Sequence, residues 1–477
     1  MAMSEKQTLA EKITKDGSGG LKRQIKLRDV IMTCVGGTLG TGIFLSSGYV
    51  LSVAGPGGCM LAYLVGCLTL WMTMSMEGEI CTAIPIPGGV QAWASEYINP
   101  PMGFTVGWQN WLGGALTITA QITASAIIAH NLIPAVSEPI WCVIFTIILF
   151  ALNYLAPGDF GKTAFWFSTL KMLLVVGFVM VGFGLIFGWI GDTAYGLANY
   201  TKQGGLFPTG WVGLASGLLT ANYAFGGSSL FIESSGEIED AKAIPKAVNM
   251  STFTLAGTYL LVMFVLCAVL PWQMAVLDGS PIAYAFELAG IKSGALIVNV
   301  IVLTSALSSG NYFVFASSRR LWSLAKFGQA PKIMAKTDKR GVPLASLLVC
   351  MGFAAFGIIT SFVAASTVYL WMTVLIASSN YIIGLCECVC YIRFRRDYVA
   401  HGGSVKDLHY AAPFFPLIPV VIMLINVVVL VVSLVDQSQM ASILISFASC
   451  ILMYVGFSIY SKKKGGLQAM LIEEDDE

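Results

Sequence analysis

The sequence predicts an all-α polytopic membrane protein of twelve transmembrane helices, on three observations. The 477 residues are 56% hydrophobic and 11% charged, with a mean hydropathy of +0.77, whereas a soluble domain carries about 25% charged residues. Apolar runs recur between polar or Gly/Pro breaks, at lengths near the roughly 20 residues that cross about 30 Å of hydrocarbon. Fifty glycines suit helices packed closely in a membrane. A net charge of +1 supplies no basic field for nucleic acid. Disordered and disulfide-scaffold classes are excluded by the same composition. The eleven cysteines lie almost entirely in apolar runs and read as small hydrophobes. Cys386, Cys388 and Cys390, with His401 and His409 downstream, lack a second close pair for a four-ligand site. No metal or other cofactor is expected.

Residues 1–28 are polar and carry Lys6, Lys12, Lys15, Lys22, Arg23, Lys26 and Arg28, which reads as a cytoplasmic segment and not a cleavable signal peptide. Spans are expected over 29–53, 58–84, 101–133, 139–156, 163–190, 211–234, 248–271, 290–321, 344–363, 366–392, 412–434 and 439–460. The third and eighth are long enough to be tilted or to begin with separate amphipathic pieces. Residues 393–411 form a basic cytoplasmic loop and 461–477 a cytoplasmic tail ending in a solvated acidic run, Glu473 to Glu477. With both termini inside, all but three of the 27 Lys and Arg residues fall on the cytoplasmic side, as the positive-inside rule requires. Lys202 and Lys292 fall outside. Lys171 falls in the membrane, nine residues into the fifth span and so about 13 Å deep. That depth points it into the protein interior, where an ionisable group is a functional candidate; the alternative is a wet cytoplasmic vestibule.

Two spans are poor helix. Gly36-Gly37-Thr38-Leu39-Gly40-Thr41-Gly42 interrupts the first, each glycine costing about 1 kcal/mol relative to alanine. A discontinuous helix exposes backbone amides that favour an anion. Close packing through Gly36 and Gly40 is the alternative. The sixth span repeats the anomaly at Phe225-Gly226-Gly227-Ser228-Ser229, followed by Gly236. Weakened helices at matching places in two halves are the pointer to an inverted-repeat transporter with a midplane site. The repeats are then 29–190 and 191–392, with 412–460 appended. Amides at one break and carbonyls at the other suit the carboxylate and amine of a free α-amino acid.

Gly36–Phe44, Ala54-Gly55-Pro56-Gly57-Gly58, Glu77-Gly78-Glu79 and Pro85-Ile86-Pro87-Gly88-Gly89 follow in order along the chain. So do Phe167-Ser168-Thr169-Leu170-Lys171, Gly236-Glu237-Ile238-Glu239-Asp240, Ile244-Pro245-Lys246-Ala247, Ala316-Ser317-Ser318-Arg319 and Ala330-Pro331-Lys332. From about residue 21 to 400 this series resembles the amino acid permeases of the amino acid–polyamine–organocation superfamily, nearest its bacterial and fungal amino acid transporter branch. The resemblance implies a five-plus-five LeuT-like core and import of amino acids across the plasma membrane, the inner membrane in a bacterium. It also implies proton symport by alternating access. The amides of Thr41 and Gly42 would hold the carboxylate and the Thr38 carbonyl the amine. Tyr223, Phe225 and Gly226 would supply carbonyls and an aromatic gate. Lys171 matches the lysine that stands in place of a sodium ion in sodium-independent members, which makes the proton the expected partner ion.

The chain departs from that branch where many members carry glutamate: it has Ser229 at the sixth-span break and Gln121 in the third span. A pocket without those charges suits a zwitterion, because an unpaired buried cation is costly. Asn222, Ser228, Ser229, Asn311, Thr117 and Gln121 each line the cavity or bond a neighbouring backbone. Glu77 and Glu79 either contact the basic first-span entrance or close a solvated helix end. Glu237, Glu239 and Asp240 with Lys242 and Lys246 read as an interfacial network, and Glu387 as a partner for the Arg393–Arg396 cluster. An enzyme is not expected, since His130, His401 and His409 are scattered. No phosphate loop for an ATP-driven pump, filter for a channel or long tail for a sensor is present. Obligatory exchange is the alternative to symport. A disulfide-linked partner subunit is not expected, because the loop 134–138 has no cysteine.

Overall fold

The computed structural model describes residues 27–83, 89–155, 160–191, 194–228, 244–275, 280–360 and 365–463. Among these residues every regular element is helical. Helix α1 (Leu27–Thr38), the single turn α2 (Thr41–Phe44) and the start of α3 (Ser46–Ala83) occupy the first expected span. Within α3 the chain bends at Gly55, whose φ of +69° precedes Pro56. Gly55 is the point between the runs 29–53 and 58–84. Left-handed backbone favours glycine, and a side chain there would meet Pro208 at 2.4 Å.

The short α4 (Val90–Tyr97) precedes α5 (Pro100–Leu132), which Asn99 caps by accepting from the Met102 amide at 2.9 Å, with Pro100 in the first turn. Helices α6 (Glu138–Leu155), α7 (Phe160–Phe187) and α8 (Gly210–Tyr223) follow. Then come α9 (Ile244–Val269), the short α10 (Pro281–Leu288), α11 (Lys292–Lys326), α12 (Leu344–Thr360), α13 (Ala365–Ala400), α14 (Leu417–Ser433) and α15 (Gln437–Lys463). The two long spans thus each follow a separate eight-residue helix, α4 and α10. Helix α13 continues past the expected end at 392 to Ala400.

Eight helices of the described residues are long and apolar enough to cross a membrane. Their burial sorts centre from rim: 94% of the apolar window of α5 is buried in the protein, against 17% for α6 and 22% for α15. Ile147 and Leu155 of α6 and Ile451 and Leu452 of α15 face outward. Contiguous apolar surface on that scale belongs against lipid, and the chain is a multi-pass membrane protein. Helix α3 packs on α8 and α9, whereas α5 is surrounded by α11, α12, α13 and α6. Helix α1 lies against α7, α9 and α11.

Charges at one end of α3 and α13 differ from expectation. Glu79 is fully buried, and its Oε1 lies 3.0 Å from Arg395 Nε. Glu387, nine-tenths buried, makes no ion pair with the Arg393–Arg396 cluster among the described residues. The spacing explains it: the helical neighbour one turn on from Glu387 is Tyr391, and the arginines lie farther round or farther along. Arg393 donates to the Tyr97 carbonyl at 2.6 Å instead. Arg23, Lys26, Glu237, Glu239, Asp240 and Lys242 lie outside the described residues.

Candidate substrate site between two broken helices

Helix α1 stops at Thr38, whose Oγ1 turns back onto the Cys34 carbonyl at 2.7 Å. Gly40 is extended, α2 lasts one turn, and Leu45 leaves helical geometry again before α3. Four glycines within seven residues account for the interruption. Helix α8 stops at Tyr223, and residues 224–228 form turns. The two interruptions touch backbone to backbone. A methyl group on Gly42 would sit 2.5 Å from Ala224 Cα, and one on Gly227 2.6 Å from Thr38 Cα. Neither backbone can retreat without moving its half-helix. Gly42→Ala and Gly227→Ala are therefore expected to remove uptake activity in membranes that contain the protein. Gly352→Ala, on α12 with nothing within 4 Å, is expected to leave it intact. Full uptake by Gly42→Ala at equal protein level would show that the close approach is dispensable.

The breaks form one wall of a cavity, through Gly37, Thr38, Gly40, Gly42, Tyr223, Gly226 and Gly227. Helix α5 supplies Asn110, Gly113, Gly114, Thr117 and Gln121, α11 supplies Phe313 and Arg320, and α13 supplies Ile376 and Asn380. Among the described lining residues the one charged side chain is Arg320, whose Nη1 donates to the Asn110 carbonyl at 2.9 Å. The lining contains no carboxylate among those residues. The amide oxygen of Gln121 is buried with no hydrogen-bond partner among the described residues, and its Nε2 would lie 2.8 Å from a side chain on Gly40.

The residues singled out from the sequence separate into three groups. Thr38, Gly42, Tyr223 and Gly226 line the cavity, as do Thr117 and Gln121. Thr41 is wholly buried, and its Oγ1 lies 3.1 Å from the Tyr223 hydroxyl, tying the start of α2 to the end of α8. By position, the Thr41 and Gly42 amides have no acceptor within their own helix. Phe225 turns away from the cavity, against Tyr259 at 4.7 Å and Tyr63 at 6.0 Å between ring centroids. Asn311 also points elsewhere: its Oδ1 accepts from Asn153 Nδ2 on α6 at 2.7 Å. Asn222 and Ser228 do not line the cavity, and the Ser228 hydroxyl donates to the Phe225 carbonyl. Ser229 lies outside the described residues.

Lys171, on α7, is 1% exposed. Its Nζ donates to the Gly36 carbonyl at 2.6 Å and to Ser309 Oγ at 2.9 Å. Ser305 Oγ donates to the Leu39 carbonyl at 3.1 Å, and Ser309 Oγ lies 3.4 Å from both Gly36 and Leu39 carbonyls. The last carbonyls of a helix have no intrahelical donor. Here a lysine and two serines, from α7 and α11, serve that end of α1. Sequence reasoning passed over Ser305, Ser309, Tyr259 and Asn380. For the serines a signal existed, since two hydroxyls four residues apart share one face of an apolar helix.

The family model for amino acid permeases matches residues 29–465. The chain is 34% identical over 454 residues to the amino-acid permease RocE of Bacillus subtilis, covering 94% of this chain and 97% of that one. To the lysine-specific permease LysP of Lactococcus lactis it is 38% identical over 426 residues, 86% of this chain and 83% of the relative. The histidine permease HisP of the same species is 34% identical over 417 residues, 85% and 87% of the two chains. Full-length agreement of this kind, on a chain of apolar helices, settles the family: the protein belongs to the amino acid permeases.

Proposed function

We propose that the protein is a secondary active transporter that imports neutral, zwitterionic amino acids by proton symport with alternating access. One observation carries the reading: the interrupted first helix and the end of α8 meet at a cavity, with a buried lysine bonded to the end of the first. The cavity wall includes Gly42 and Thr38, and with Thr41 buried directly behind it the start of α2 would turn amides toward a carboxylate while the Thr38 carbonyl takes an ammonium, an arrangement suited to both ends of an α-amino acid. The matched short helices α4 and α10 support a five-plus-five repeat, with breaks in its first and sixth members. Twelve spans with both termini cytoplasmic are supported by that repeat and by the cation distribution, and location in the plasma membrane by the family resemblance.

Two of the relatives carry lysine or histidine in their names. A neutral substrate is favoured here by the cavity wall, which among the described residues has a guanidinium and no carboxylate. A cationic side chain would be desolvated beside a like charge. The test is uptake of a panel of labelled amino acids into proteoliposomes, with an inward proton gradient and no sodium. A neutral amino acid is expected to accumulate, and the accumulation to collapse with a protonophore. Rapid filling of preloaded vesicles without net uptake would make the protein an exchanger. Accumulation of lysine above the neutral amino acids would overturn the substrate assignment.

A further inference from the structure

Tyr259 of α9 is fully buried and contributes nothing to the cavity lining, yet its hydroxyl stands at both helix breaks. It lies 2.6 Å from the Ala224 carbonyl, just beyond α8, and 3.2 Å from the Thr38 carbonyl, at the end of α1. Both are carbonyls of the kind a helix end leaves without an intrahelical donor. A phenol has one proton to donate, and here it is shared between the two carbonyls as a three-centre bond, with the shorter arm to Ala224. The Thr38 carbonyl, which also accepts from the Gly40 amide at 2.8 Å, is held at the edge of the same hydroxyl.

This contact supplies what the glycines omit. Where the breaks meet, Gly42 faces Ala224 and Gly227 faces Thr38, so no side chain of either glycine sets their register. The ring of Tyr259 is clamped by Tyr63, stacked at 5.7 Å, and by Phe225 at 4.7 Å. A clamped ring fixes its hydroxyl, and the hydroxyl fixes two peptide planes from different half-helices. We propose that Tyr259 is a positioning residue for the substrate ammonium: through this single hydroxyl it holds the Thr38 carbonyl in the orientation that receives the amine. The inference rests on the transport reading above and deepens it.

The experiment compares wild type, Tyr259→Phe and Tyr63→Phe as full-length proteins in proteoliposomes. Tyr259→Phe keeps the clamped ring and removes only the hydroxyl. The half-saturating amino acid concentration is expected to rise about tenfold, the scale of one hydrogen bond lost at a buried carbonyl, with the maximal rate unchanged. Inhibition by the α-hydroxy acid of the same side chain is expected to stay constant, so the preference for amine over hydroxyl falls by about the same tenfold. A general loosening of the site would weaken both ligands together and overturn the inference. The Tyr63 hydroxyl has no hydrogen-bond partner among the described residues, so Tyr63→Phe is expected to match wild type. An equal loss in Tyr63→Phe would overturn the inference too. If Tyr259→Phe fails to reach the membrane, a ring-fluorinated tyrosine at 259 carries the test. It keeps and sharpens the O–H donor and is expected to hold the amine preference at or above wild type, and a reduced preference would refute the role. A wild type that moves no amino acid overturns the transport reading and this inference with it. Wild-type transport alongside an unaltered Tyr259→Phe overturns this inference alone.

Discussion

Replacing Lys171 with methionine is expected to abolish accumulation of amino acid against a gradient and to flatten the dependence of uptake on external pH. The two side chains are similar in length, so α7 keeps its packing while the charge and the N–H donors are lost. The Gly36 carbonyl then loses its 2.6 Å donor and keeps only Ser309 Oγ at 3.4 Å. A buried acceptor left in that way costs about 1–3 kcal/mol. That loss falls on the turn of α1 that leads into the break. Under the proposed symport, wild-type uptake is expected to rise as the outside is acidified, because each inward cycle would carry a proton with the substrate. The variant is expected to show slow, downhill equilibration at the same rate across the pH range. Its thermal stability in detergent, measured in parallel, separates loss of coupling from loss of fold. Wild-type accumulation ratios in the variant would remove Lys171 from the mechanism. A second substitution, Ser309→Ala, removes one partner of Nζ and leaves the charge. It is expected to weaken transport less than Lys171→Met and to preserve its pH dependence.

How far the site could be read in the sequence depended on whether a residue acts by breaking a helix or by facing a break. Gly36, Gly37, Gly40 and Gly42, and Gly226 with Gly227, are visible because glycine in an apolar run contradicts helix propensity. Lys171 is visible because a cation in hydrocarbon contradicts hydropathy. Residues on continuous helices give no such contradiction, and their direction depends on rotation about the axis. Ser309 and Asn311 illustrate this. They are two positions apart, about 200° around α11, so with Ser309 against α1 and Lys171, Asn311 must face the other way, where Asn153 takes it. The expectation for Asn311 chose the more polar side chain and missed the face. Phe225 was misplaced for a related reason. An aromatic beside a break reads as a gate, but a buried neighbourhood of Tyr63, Tyr259 and the bare Gly66 surface drew its ring outward from the cavity. Tyr259 was invisible altogether, because one tyrosine in an apolar helix is ordinary and its role depends on two carbonyls more than 30 positions away in sequence.

The second large effect is expected at the opposite end of α3, where Glu79 sits without exposure between three segments. Its Oε2 accepts from the Tyr391 hydroxyl at 2.8 Å and from the Ala412 amide at 2.6 Å, while Oε1 faces Arg395 Nε at 3.0 Å. The arginine in turn lies over the Phe415 ring at 4.9 Å. Helix α3, the end of α13 and the chain entering α14 are thus fastened at one carboxylate. Two desolvated charges gain little as a pair, but removing one strands the other, at a cost of about 3–5 kcal/mol. Glu79→Gln is expected to be the severer single change, because it leaves the Arg395 guanidinium 7% exposed and facing a neutral amide. Arg395→Met leaves a carboxylate still bonded by Tyr391 and Ala412, so its loss is expected to be smaller. The double variant is expected to be less damaged than the sum of the two, by about 0.5–3 kcal/mol of coupling. The measurement is the thermal midpoint of the purified protein in detergent for all four forms, with membrane level as a second reading. Strict additivity would mean that the two side chains do not act on each other. A Glu79→Gln protein as stable as wild type would mean that the junction is held by apolar contacts alone. The fastening ties α3 to α13 at this end, and the other end of α3 joins the backbone of the first break through Ser46 and Leu45. A loss of stability at Glu79 should therefore be accompanied by weakened substrate affinity, a link that uptake assays on the Arg395→Met protein can measure at permissive temperature.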